Sequence, residues 1–230
     1  MNFGPERLTT MNRFIMFIAF CFMAFLQGCA SPAPAPEPGL EVLQHRRGEE
    51  IQVATDVDWN SYTKIILHEA PVEFTENWRS NQERLHGKEL RDEDVARLEA
   101  AVSGQLAKVM YKTLTEQGGY ELTSDSGPGV MVFMPNIVDL DVMATGWVQN
   151  SIVESLPDSR GRMTTELVIR DSVSDKLLAV AWQEQTDPRQ GDMEMTVSVS
   201  NASAFRLMSQ NFARWIVGQL DDLGAGPQDQ

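Results

Sequence analysis

Apolar residues fill positions 14–25 without interruption, and nothing like that run recurs. Two helical faces and several short strand patterns follow it. Val95, Leu98, Val102, Leu106, Val109 with Met110, and Leu114 recur at three- and four-residue spacing, which predicts one amphipathic helix. Asp92-Glu93-Asp94 open it, where carboxylates meet the positive end of the helix dipole, and Gly118-Gly119 close it. Gly104 inside this helix costs ~1 kcal/mol relative to alanine, which suggests a close backbone approach there. Phe205, Met208, Phe212, Trp215 with Ile216, and Leu220 form the face of a second helix, with Ser203 as a candidate cap.

The strand patterns begin at residues 64–68, closed by Pro71, with Val72-Glu73-Phe74 as a candidate continuation past a break. Residues 120–123 make a short strand and residues 130–142 a long one. Pro135 has no N–H to donate, so it demands an edge position or a bulge. Beyond it, alternation puts Ile137, Asp139 and Asp141 on one face and Val138, Leu140 and Val142 on the other, buried one. Residues 165–170 and 177–182 pair as a hairpin across residues 171–175. Three excursions interrupt this order, at residues 75–91, 144–162 and around 187–191; the first reads as a surface loop or a short helix within one. Residues 40–57 lack clear periodicity and read as irregular or as a short leading strand. The predicted fold is α+β, a mostly antiparallel sheet with two helices packed on one face.

The apolar run is too short for the ~20 residues that a membrane-spanning helix needs, and Arg7 and Arg13 precede it. It therefore reads as the core of a secretory signal, whose true start is Met1 or Met11. The run ends in Leu26-Gln27-Gly28-Cys29, a bacterial lipoprotein signal with cleavage between Gly28 and Cys29. The Cys29 thiol then carries a diacylglycerol thioether, and the new amine is open to acylation. Each buried methylene adds about 0.8 kcal/mol of membrane affinity, so two or three chains hold where one does not. Cys21 leaves with the signal, so the mature chain has neither a free thiol nor a disulfide. Ala30 and Ser31 follow the lipidated cysteine with no aspartate at the second position. By resemblance to lipoprotein sorting rules, this places the anchor in the outer membrane, facing the periplasm.

Residues 31–39 alternate proline with other residues and favour polyproline II, a reach of roughly 30 Å. The expected organisation is a signal over residues 1–28, a lipidated cysteine and tether over 29–57, one globular domain over 58–223 and a flexible tail over 224–230. The net charge of −14 becomes one unit more negative once the signal is removed. Such an acidic chain is repelled by nucleic acid and by anionic headgroups, so the membrane is reached through the lipid.

Little in the chain points to catalysis. No serine sits in G-x-S-x-G, and His45, His68 and His86 are scattered without metal-ligand spacing. No cofactor or metal is expected. His68 beside Glu69 reads as a surface or half-buried histidine, or as a lone ligand. Asp139 and Asp141 share a strand face, which suits acid–base work or a divalent cation, and equally a solvated face. Gly127-Pro128-Gly129 leads into a strand and reads as a turn. Trp78, Trp147, Ile152, Val153 and Leu156, with Met193 and Met195, fall in the excursions outside strong periodic elements. They either fold back over the sheet or form a partner surface, where aromatic and methionine side chains are enriched.

Asp58-Trp59 through Tyr62-Thr63-Lys64, Pro71-Val72-Glu73-Phe74, Gly127-Pro128-Gly129-Val130, Ile137-Val138-Asp139, Glu166 through Arg170-Asp171-Ser172, and Phe212-Ala213-Arg214-Trp215 resemble the bacterial lipoprotein family labelled domain of unknown function 3313. The resemblance implies a lipoprotein and brings no catalytic residue. The expectation is a non-enzymatic, lipid-anchored module that binds another envelope protein or assembly, with a small-molecule or lipid-binding module as the alternative.

Overall fold

The computed structural model describes residues 37–142, 161–186 and 201–227. Its strands are β1 (Glu41–Arg46), β2 (Glu49–Val53), β3 (Lys64–Leu67), β4 (Val72–Phe74), β5 (Glu121–Leu122), β6 (Val130–Asp141), β7 (Arg162–Asp171) and β8 (Leu177–Thr186). They form one sheet in the order β1-β2-β8-β7-β6-β3-β5, with β4 also on β6. Pairing is antiparallel from β1 across to β6, while β3 and β4 run parallel to β6 and β5 runs parallel to β3.

Three α-helices accompany the sheet: α1 (Trp78–His86), α2 (Asp92–Glu116) and α3 (Asn201–Asp222). The α+β class and the mostly antiparallel sheet are as the sequence pattern predicts, but there are three described helices where periodicity predicted two, and part of the sheet is parallel. The additional helix, α1, lies in the first excursion. Its sequence is polar, and among its described side chains only Trp78 and Gln82 are buried, so it has no apolar stripe to read.

One sheet face makes the core. Ile51, Val53, Ile65, Phe133, Ile137, Leu167, Ile169, Ala179 and Ala181 join Leu98, Val102, Leu106 and Met110 of α2 and Phe205, Met208, Phe212 and Ile216 of α3 in one buried cluster. The helical faces predicted from spacing are thus the buried ones; Val95 and Trp215 pack at the margin. Ile66, Val132, Met134, Val168 and Val180, on the second sheet face, are only partly buried.

Pro135 lies in an internal strand, paired with Leu167 of β7. It is tolerated because its ring nitrogen faces the break between β3 and β4. The neighbouring bonds on that side run from His68 N–H to the Phe133 carbonyl (2.9 Å) and from Ile137 N–H to the Pro71 carbonyl (3.0 Å). No strand residue stands opposite the missing donor. Two residues on, a bulge shifts the register between Ile137 and Asp139. It brings Ile137 and Leu140 both into the core and leaves Val138 partly buried, so strict alternation past Pro135 does not hold.

Residues 41–53, expected to be irregular or one short strand, form the β1–β2 hairpin on the sheet edge. Residues of the expected tether also dock. The Glu37 N–H donates to Gln52 Oε1 at 2.8 Å, and a turn follows in which Gly39 takes a φ of +87°. Gly104 does not mark a close approach either, since a methyl group added there would meet no atom within 4 Å. Gly129 is different: at a φ of +72°, an added Cβ would lie 2.6 Å from the Ser61 carbonyl oxygen. Its own carbonyl accepts from the Thr63 and Lys64 N–H groups, which fixes the turn to the start of β3.

Candidate functional site

The lipidation and cleavage residues Gly28 and Cys29 lie outside the described residues, as do Trp147, Ile152, Val153, Leu156, Met193 and Met195. Trp78, the remaining candidate for a partner surface, is in the core. Its ring stacks on Phe74 of β4, with centroids 3.9 Å apart and planes 14° apart. Its Nε1–H donates to the Val142 carbonyl at 2.6 Å, and only 3% of the residue is exposed. Folding of α1 turns this side chain inward and satisfies its one polar atom, so Trp78 presents nothing to a partner. His68 and Glu69 are exposed at the end of β3.

Asp139 and Asp141 do share a face, beyond the bulge in β6. Arg162 opens β7 directly opposite Asp141, and its Nη2 lies 3.1 Å from Asp139 Oδ2. The Asp141 carboxyl is pushed above the usual aspartate range by loss of solvent, with the Asp139 charge adding to the effect and Arg162 opposing it. The arrangement is therefore an ion pair with a second carboxylate beside it. Among the described residues no group of three or more histidine, cysteine, aspartate or glutamate side chains is placed to hold a metal ion. Further along the same face, burial raises the Glu166 carboxyl and the Glu73 charge adds to it. Thr164 lies opposite Asp139, between Arg162 and Glu166 on β7.

A cavity of about 210 Å³ lies elsewhere, between α2 and α3. Lys112, Thr113 and Gln117 line it from one side, Gln210 and Arg214 from the other, and Val109 forms its apolar wall. Arg214 Nε donates to the Gln210 carbonyl at 3.3 Å and Nη2 to Asn211 Oδ1 at 2.6 Å. Lys112 Nζ is 3.8 Å from Glu116 Oε2, one turn along its own helix. Sequence reasoning missed this groove because the residues are about a hundred positions apart. The only signal was a basic residue on the polar side of each predicted helix.

No family model matches the chain, and no curated protein matches it. Among solved structures it is similar to the PelC dodecamer from Paraburkholderia phytofirmans, with a TM-score of 0.41 and 7% identity over 78% of this chain and 99% of that one. A single-substitution form of the same dodecamer gives a TM-score of 0.38 and 7% identity over 70% of this chain and 90% of that one.

Proposed function

We propose that this chain is a lipid-anchored lipoprotein of the bacterial outer membrane, facing the periplasm, whose folded part is a non-enzymatic module that binds another envelope protein or assembly. The observation that carries the reading is Leu26-Gln27-Gly28-Cys29 at the end of an apolar run, followed by alternating prolines. Among the described residues no helix is long and apolar enough to cross a membrane, so attachment is assigned to the lipid on Cys29. Glu37 docks onto Gln52, so the tether proposed from the alternating prolines ends before that residue.

The partner surface is assigned to the second sheet face and to the candidates that follow β6 in sequence. The half-buried Ile66, Val132, Met134, Val168 and Val180 form an apolar strip beside the carboxylates of Glu73 and Glu166. Such a mixture suits a protein partner better than a hydrocarbon chain. Trp147 is the residue most suited to anchor the contact, since buried aromatic anchors carry most of the energy of such interfaces.

Affinity capture after mild in-cell crosslinking tests this. One envelope protein should be recovered near stoichiometrically with the natural chain, less with Trp147→Ala, and not at all with Cys29→Ser. Recovery of no partner from any of the three would overturn the binding role and favour the small-molecule reading, which the groove between α2 and α3 independently supports.

A further inference from the structure

The geometry points to the groove between α2 and α3 as a binding site for a phosphate group, held by Lys112 and Arg214 across the helix pair. The site does not depend on a protein partner, and only a headgroup as its phosphate source rests on the proposed membrane placement.

Its first support is the charge of the lining. The chain carries a net charge of −14, yet the groove is lined by two cations, two amides, a hydroxyl and a valine, with no carboxylate. Some surface cations are matched by acids at short range, as in Lys64 with Glu121 at 2.9 Å and Lys176 with Asp56 at 2.8 Å. Arg214 instead donates to two neutral oxygens, and among the described residues it forms no ion pair. Lys112 has only the long 3.8 Å approach to Glu116. Both cations line one cavity, and an anion placed there would be attracted to each of them.

The helices themselves do not account for these cations. A basic side chain is favourable near a helix carboxyl end, but neither α2 nor α3 has a basic residue in its last turn. Lys112 and Arg214 sit further in, at the level where the two helices face each other across the groove.

Size and donor type narrow the ligand. Sites for drug-sized molecules run from roughly 300 to 1,000 Å³, so about 210 Å³ suits a single compact group. Arg214 offers a planar fork and Lys112 a mobile point charge, a pairing suited to a phosphate with several acceptor oxygens. The Gln117 and Gln210 amides and the Thr113 hydroxyl can donate to the remaining oxygens. The phosphate comes either from a free phosphate compound or from a phospholipid headgroup of the nearby membrane.

The test uses the full chain purified in non-ionic detergent at low ionic strength, titrated calorimetrically with two probes. One is inorganic phosphate, and the other is dihexanoyl phosphatidylglycerol mixed into the micelles. Saturable binding of at least one probe is expected, weakened about tenfold or more by Lys112→Gln and by Arg214→Gln, as expected for loss of a charge-assisted hydrogen bond. Both variants should keep the natural unfolding midpoint without phosphate, because Lys112 and Arg214 lie at the surface. Saturation by inorganic phosphate assigns a free phosphate ligand, and saturation by the lipid alone assigns a headgroup. Failure of both probes to saturate, or binding that neither variant weakens, would overturn the site.

Discussion

Trp78 joins two parts of the fold through one side chain. Its indole stacks on Phe74 and its only polar atom donates to the carbonyl of Val142, the last described residue before the second excursion. Truncation removes a large buried ring and leaves that carbonyl short of a donor. Trp78→Ala should therefore destabilise the fold by about 3–5 kcal/mol, read from urea unfolding of the purified chain. Trp78→Phe keeps most of the packing and should cost clearly less. A loss below about 1 kcal/mol for the alanine variant would mean that the ring is not in the core. Sequence alone left two readings of this tryptophan open because the surrounding residues are charged or polar. The structure decides between them through α1, whose buried side depends on β4 and the end of β6 and so on contacts distant in sequence.

Elements with their own apolar period were legible, and elements whose burial depends on neighbours were not. The buried faces of α2 and α3 and the β7–β8 pairing all follow from spacing within a single segment. The β1–β2 hairpin was hidden because β2 buries polar side chains. Glu50 and Gln52 are 6% and 1% exposed, and they bond to each other at 2.7 Å while Glu50 also meets His45 at 2.8 Å. Ile51 and Val53 do alternate with Glu50 and Gln52, but a strand of five residues with only two apolar positions gives too short a period to read, and its polar groups are satisfied internally. Pro135 correctly signalled an irregularity, but the gap it needs is supplied by β3 and β4 rather than by an edge. Gly104 suggested a contact that the fold does not make. Because it is exposed and a methyl group there meets nothing, Gly104→Ala should stabilise α2 by up to about 1 kcal/mol, measured as a higher unfolding midpoint. A lower midpoint would show that the backbone at this position is approached after all.

At the scale of the whole molecule, the proposed role depends on where the chain is held. The acidic surface disfavours direct adsorption to anionic headgroups, and the proposed phosphate groove admits one group rather than a membrane plane. In the proposed role, placement at the membrane therefore falls to the lipid assigned to Cys29. The groove and the second sheet face are assigned separate ligands, so their variants should act independently: Arg214→Gln should leave partner capture unchanged. The most direct test of the account is the intact mass of the mature chain from the membrane fraction, compared with Cys29→Ser. The account predicts a natural chain that begins at Cys29, carries diacylglycerol with or without a further acyl chain, and sediments with the outer membrane, while the variant lacks the lipid and leaves that fraction. A natural chain without lipid, or a Cys29→Ser variant that stays in the outer membrane, would contradict it.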